Sequence, residues 1–399
     1  MLELKNSIRD YAWGSKTMIP ELLGEEPSGN PEAEVWIGAH PDSPSMVGNK
    51  GLDQILSQNP KLLQGSELHL EQLPYLMKIL AADTALSLQV HPSKEQAETG
   101  FETEENTGIE KTAPQRNYKD DNHKPEMIFA ISDFEALNGF RHLAEIQEIF
   151  NELGHYHKLA ALPLYQEFQQ ALKSQNGLQD AFTLLVSKPA GLEQLVTAVT
   201  QAANNAKSSK YSKEFATLQE LEQLYPGDAG VVLSLMLNRV SLKPGQAMYT
   251  GAGNVHAYLH GLGIEVMASS DNVLRGGLTP KHMDVPELLK IVDFEPLDVP
   301  VLKASENDLG QDILQPPFDE FQLQVIELEK GQSATVAQNG PTIVLLTQGA
   351  LDIETPQETK SLLPSASVFV AHDESPVSVK AIEKSQAFAV TVNQGTSKS

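Results

Sequence analysis

The spacing of apolar residues changes twice along the chain and divides it into three regions. Over residues 3–141, apolar and polar positions alternate in short runs broken by Pro, Gly and Asp. Examples are Glu34-Val35-Trp36-Ile37-Gly38 and Ala85-Leu86-Ser87-Leu88-Gln89-Val90-His91. A period of two is that of strands, whose successive side chains face opposite sides. Over 142–225 the period becomes helical. Leu143, Ile146, Phe150 and Leu153 form one stripe with Gly154 as a stop, followed by Leu164, Phe168 and Leu172, then Leu192, Val196, Val199 and Ala203, then Phe215, Leu218 and Tyr225. These stripes carry no clustered ligands or bases, so they predict core-facing helices without chemistry. The apolar run 231–237 fits helix or strand equally. Strand texture then returns, with a turn at Lys243-Pro244-Gly245 and a helical stretch at 286–292. From 317 to 393 short β-runs recur at 321–328, 342–346, 351–354, 367–371 and 387–392, the texture of a sandwich or jelly roll. Residues 395–399 read as a frayed tail. The pattern predicts a mainly β protein with an α-helical insertion.

Composition narrows the function classes. The 399 residues are 40% hydrophobic and 21% charged, ordinary values for a globular protein with a large core. With no cysteine, a disulfide framework, a thiolate metal site and a cysteine nucleophile are excluded, and a reducing, cytoplasmic setting is expected. The first eleven residues lack the apolar stretch of a signal peptide, and no window reaches the length of a membrane span. A net charge of −24 argues against nucleic acid as a partner. Basic residues that serve an anionic ligand must therefore be gathered locally.

Four short segments carry candidate chemistry. In 85–91, Ser87, Gln89 and His91 share a strand face, and burying a hydroxyl, an amide and an imidazole together requires a partner. Alone, such a Gln-x-His pair is more often a hydrogen-bonded surface face than a metal site. In Asn122-His123-Lys124-Pro125-Glu126, Lys124 and Glu126 share a face at the mouth of a strand, while His123 is out of phase with them. Gly251-Ala252-Gly253-Asn254-Val255-His256 resembles the second half of the cupin signature, with Gly251 where proline is usual. His260 shares the face of His256 by parity and is expected to be structural. Together Gln89, His91, Glu126 and His256 offer two imidazoles and two oxygen donors, a set suited to zinc, iron, manganese or nickel. In the fourth segment Glu265 lies in an apolar strand, where burial raises a carboxyl toward the range of a base, and Arg275 and Lys281 lie in a Gly-rich loop suited to a phosphate.

With these segments in view the chain resembles the type I mannose-6-phosphate isomerases (phosphomannose isomerases). The matching stretches are Tyr11-Ala12-Trp13-Gly14-Ser15, 34–45 (EVWIGAHPDSPS), 73–94, 118–126 and 251–289. The longest are Asn122-His123-Lys124-Pro125-Glu126 and Ser270-Asp271-Asn272-Val273-Leu274-Arg275-Gly276-Gly277-Leu278-Thr279. Ser269 stands where the family commonly has asparagine, and the C-terminal region matches loosely. The resemblance implies a cupin-like catalytic domain (1-141 and 226-300), a helical insertion (142-225) and a metal-free C-terminal jelly roll (301-399). It also implies one Zn2+ on Gln89, His91, Glu126 and His256, and a monomer that interconverts mannose 6-phosphate and fructose 6-phosphate. By the same resemblance Arg275 is catalytic, Ser87 and Lys281 meet the phosphate, and Trp13, Lys124 and Glu265 line the pocket. An aldose–ketose shift through an enediolate needs a base, and Glu265 is the candidate, with Lys124 or Arg275 assisting ring opening or charge balance. The rival classes are a metal-dependent cupin oxygenase and a non-catalytic sugar-binding bicupin. Neither has a use for a phosphate-reading cation pair.

Overall fold

The computed structural model describes residues 1–65, 69–206, 210–307 and 310–393; the tail expected at 395–399 lies outside the described residues. Strand Thr342–Gln348 is buried at each of its first six positions, so neither of its faces can lie in water. Ile343 and Leu345 turn to one side, into a core with Val35, Ile37, Met77, Ile79, Ile264 and Val266. Val344 and Leu346 turn to the other, against Leu351, Ile353 and Val379. Three large sheets result among the described residues, of eleven, seven and four strands, with the seven-stranded sheet in the middle; a two-stranded one joins Met46–Val47 to Lys50–Gly51. That middle sheet is not wholly C-terminal. Leu2–Leu4 pairs antiparallel with Ser367–Val370, Leu2 opposite Phe369.

The eleven-stranded sheet is organised by its longest strand, His256–Ala268. From Gly261 onward this strand lies between Tyr75–Ala82 and Glu126–Ala130. Its first residues pair instead with Phe134–Phe140, and His256 stands opposite Gln89. A register shift between Tyr258 and His260 separates the halves. Gly261 takes φ +130 there, and a Cβ would lie 2.7 Å from both Phe134 and the Asp133 carbonyl. The shift overturns one expectation: His260 does not share the environment of His256 but is exposed in a cavity with Glu135 and Leu224.

The four helical stripes become helices Leu143–Leu153, Pro163–Ala171, Leu192–Asn205 and Ser212–Leu224. Their apolar faces share one core with Leu88, Val90, Leu137 and Phe140, so the insertion packs directly beneath strands of the catalytic region. The ambiguous run 231–237 is mostly helical, with Ala229–Leu233 followed by a 3-10 turn, Ser234–Met236. Two longer helices lie outside the pattern. Gly177–Val186 buries six of its ten residues and joins the helical core. Lys94–Thr107 lies in the region read as strands, and with only Ala97 and Glu104 buried it shows no apolar stripe. Its start is marked by a capping box, in which Gln96 N donates to Ser93 Oγ (3.2 Å) and Ser93 N donates to Gln96 Oε1 (2.8 Å).

Tyr75 ties the catalytic sheet to the middle one. Its buried hydroxyl lies 2.9 Å from the Pro341 carbonyl and 3.0 Å from that of Val390. Tyr75→Phe is expected to cost about 1–2 kcal/mol. The change is read as a lowered thermal midpoint with unchanged metal content.

Candidate functional site

Three of the four expected metal ligands converge through their side chains. His91, Glu126 and His256 are all buried, and their donor atoms lie within 4.8 Å of one another. Glu126 Oε1 is 2.9 Å from His256 Nε2, and Oε2 is 3.4 Å from His91 Nε2. Gln89, opposite His256 in the strand pairing, lines the adjoining cleft, and its side chain makes no hydrogen bond to the described residues. His123 does not join this group; its Nε2 meets the Glu320 carboxylate. The turn before His256 is fixed by Gly253, whose φ is +78 and whose N–H donates to the backbone oxygen of His91 (2.9 Å). One ligand strand thus grips the other.

The donor set fits a divalent cation. His91 Nδ1 is 2.7 Å from the Asn272 carbonyl, and His256 Nδ1 is 2.9 Å from that of Asn254. A carbonyl only accepts, so each Nδ1 carries the hydrogen and, in the neutral ring, each Nε2 presents a lone pair. Burial, and then the charge of Lys124, lower the His91 pKa to about 4, which keeps that ring neutral. His91 Nε2 is accordingly a buried acceptor without a donor, aimed at a carboxylate. Burial works to raise the pKa of Glu126, but Lys124, His256 and His91 outweigh it and hold the group well below the usual carboxylate range. A cation among these atoms converts opposed lone pairs into ligands.

Asn272, which the sequence reading passed over, holds the surrounding segments together. It is fully buried. Its Oδ1 accepts from Lys119 N (2.8 Å), its Nδ2 donates to the backbone oxygens of Asp120 (2.7 Å) and Asn122 (2.8 Å), and its own carbonyl orients His91. Ser270 Oγ donates to Asp120 Oδ1 (2.7 Å), and His40 Nε2 lies 3.4 Å from Asp271 Oδ2. Three of the matching stretches, 34–45, 118–126 and 251–289, therefore dock on one another.

The cleft above the metal ligands has a volume of about 620 Å³ and is lined by Trp13, Ser87, Gln89, Lys124, Arg275 and Lys281 among others. Seven basic and three acidic side chains line it, an inversion of the balance of the whole chain. Arg275 and Lys281 make no ion pair among the described residues. Burial lowers the pKa of each, and the charges of Arg275 and Lys119 lower that of Lys281 further. Lys124 Nζ stands 3.5 Å from Glu126 Oε2.

Glu265 differs from expectation. Burial does raise its carboxyl, but it is not alone in an apolar strand, and it is not among the side chains that form the cleft wall. Lys78, directly opposite it, donates to Glu265 Oε2 at 2.8 Å and reaches Glu34 Oε1 at 3.4 Å. Glu34 in turn accepts from Trp36 Nε1 (2.7 Å). Burial disfavours the Lys78 ammonium, yet Glu265 and Glu34 outweigh it and raise its pKa. The signal was present in the sequence: a lysine in the otherwise apolar run Tyr75–Ala82 must be paired or protrude. Lys78→Ala leaves two buried carboxylates without their cation and is expected to destabilise the protein by about 3–5 kcal/mol at neutral pH. In that variant the folded-state carboxyl pKa lies above the unfolded value. The penalty therefore shrinks as pH falls toward the unfolded value of about 4.3. Melting curves of the two proteins, both stripped of metal, should converge as the pH is lowered.

Comparisons with known proteins bear on this geometry. A family description, phosphomannose isomerase type I, catalytic domain, matches residues 1–143. The mannose-6-phosphate isomerase of Escherichia coli (strain K12) is 37% identical over 389 residues, covering 95% of this chain and 97% of that protein. A solved apo form of the Salmonella typhimurium mannose 6-phosphate isomerase superposes with a TM-score of 0.88 at 33% identity, covering 99% of each chain. A zinc-bound holo structure of a mannose 6-phosphate isomerase gives a TM-score of 0.87 at 33% identity, covering 98% of this chain and 99% of that one. Likeness of this extent in both sequence and fold leaves one assignment: the chain belongs to the type I phosphomannose isomerase family.

Proposed function

We propose that the chain is a zinc-dependent aldose–ketose isomerase that interconverts mannose 6-phosphate and fructose 6-phosphate. The observation that carries this reading is the meeting, beside one cleft, of a buried His–Glu–His set with two cations, Arg275 and Lys281, that have no carboxylate partner among the described residues. One Zn2+ would be held by Gln89, His91, Glu126 and His256, and when bound it supplies Lewis acidity to a sugar oxygen. Arg275 and Lys281 take the phosphate with Ser87, which faces the same cleft. Trp13, stacked on Tyr11 at 5.7 Å, forms a wall for the sugar. Glu265, set back from the cleft wall and reaching the sugar past the cleft-lining Lys78, is the base we assign to carry the proton between C2 and C1 of the enediolate, and its raised pKa suits a group that must both accept and return it. Lys78 fixes the orientation of that carboxylate. Lys124 balances charge beside Glu126 and assists ring opening. An oxygenase or a non-catalytic sugar binder has no use for the cation cluster. No helix among the described residues is long and apolar enough to cross a membrane. A monomer in a reducing cytoplasm completes the proposal, in keeping with the cysteine-free composition.

A coupled assay that follows mannose 6-phosphate to fructose 6-phosphate should give activity that chelation abolishes and added zinc restores. Activity indifferent to chelation would overturn the metal assignment. Glu265→Gln should lower turnover by about 100-fold or more while zinc content stays intact. Unchanged turnover would remove Glu265 as the base.

A further inference from the structure

We infer that Asp228, at the end of the connector Tyr225-Pro226-Gly227-Asp228, is a positioning residue for the phosphate end of the cleft. The inference rests on the reading of Arg275 and Lys281 as phosphate ligands. Arg275 lies in strand Leu274–Gly277, opposite Gln89, and the segment that leads from that strand to Lys281 has an improbable backbone: Leu278, a non-glycine residue, takes φ +53. Such a conformation persists only where its surroundings enforce it. Asp228 Oδ1 does so, accepting from Leu278 N at 2.8 Å and from Gly230 N at 2.7 Å. The contact is close enough to require glycine on both sides, since a Cβ on Gly277 would lie 2.9 Å from Gly230 Cα. No ion pair holds Asp228 to any described cation, so its carboxylate serves those two N–H groups.

The same connector grips the opposite wall. Tyr225 lines the cleft and donates its hydroxyl to the Ala85 carbonyl at 3.0 Å, two residues before Ser87. Four residues that leave the helical insertion thus clamp both segments assigned to the phosphate. Arg275 and Lys281 repel each other and have no ion pair to fix them, so their spacing depends on the backbone that Asp228 holds. The helical insertion, which carries no chemistry of its own, acts on the site through this clamp.

The test compares Asp228→Ala, Asp228→Asn, Tyr225→Phe and Lys281→Ala in the zinc-loaded enzyme. It measures kcat, KM for mannose 6-phosphate and the inhibition constant of inorganic phosphate. Asp228→Ala should raise KM and the phosphate inhibition constant together, each about tenfold, with kcat changed far less. Asp228→Asn should restore both, because an amide oxygen can accept the same two N–H bonds. Tyr225→Phe should shift both constants in the same direction by less. Unchanged constants in a folded Asp228→Ala protein, or a fall confined to kcat, would overturn the inference. So would an Asp228→Asn protein as impaired as the alanine variant. If the alanine variant does not fold, unchanged constants in Tyr225→Phe would overturn the clamp. Lys281→Ala separates the two ideas: if it leaves both constants unchanged, the phosphate reading itself fails.

Discussion

A carboxylate removed from water must be surrounded by groups that favour its charge. Lys124 stands beside one oxygen of Glu126 and the Tyr258 hydroxyl lies 3.5 Å from the other, while the His91 and His256 ring nitrogens that face the same oxygens favour it once a cation lies between them. These groups come from three separate parts of the chain: the segment of His91, the segment of Lys124 that runs into Glu126–Ala130, and the strand that carries both His256 and Tyr258. The solvation of one side chain therefore depends on the correct mutual placement of strands Leu88–Val90, Glu126–Ala130 and His256–Ala268. The neighbouring Lys78–Glu265–Glu34 row imposes the same demand one step along the sheet. Buried charge gives little net stability when well paired and costs much when it is not. It therefore acts on this sheet as a selector of register: a slip by one residue would turn these groups into an apolar core.

That demand explains why the loops around the cleft are tied to one another and not only to the strands they extend. Asn272 supplies donors and acceptors to the 119–122 segment while its carbonyl fixes the tautomer of His91. Orientation of a ligand ring by a neighbouring acceptor is a common means of raising its readiness to bind a cation. Here that acceptor belongs to the segment that leads, three residues later, to Arg275. Metal site and substrate cleft are mechanically one object.

Much of this was legible in the residues. Strand parity brought Ser87, Gln89 and His91 to one face, and the alternation in Lys124-Pro125-Glu126 predicted a cation beside the carboxylate, as found. The helical stripes became helices because each has an apolar face wide enough to be read at a period of 3.6. The failures have physical causes. His260 was misplaced because a register shift changes parity, and nothing in Leu259-His260-Gly261 announces it beyond a glycine. Lys94–Thr107 was missed because a helix held by its cap and its polar contacts has no stripe to read. Lys78 and Asn272 were passed over because their work is done on residues distant in sequence. The pairing of Leu2–Leu4 with Ser367–Val370 is of the same kind.

That last pairing has a consequence for how the molecule comes into being. Leu2–Leu4 leaves the ribosome long before Ser367–Val370, the strand it pairs with. At about 5–20 residues per second, it waits for something like 20–70 s before Phe369 and its neighbours exist. The middle sheet cannot be completed in order of synthesis, and Thr342–Gln348, the other neighbour of Ser367–Val370, is also late. During that interval an apolar, unpaired strand is exposed to whatever other edges are near. Leu2–Leu4 is only three residues long. Such brevity limits what a stray partner can gain by joining it, and so protects the nascent chain while it waits for its proper neighbour.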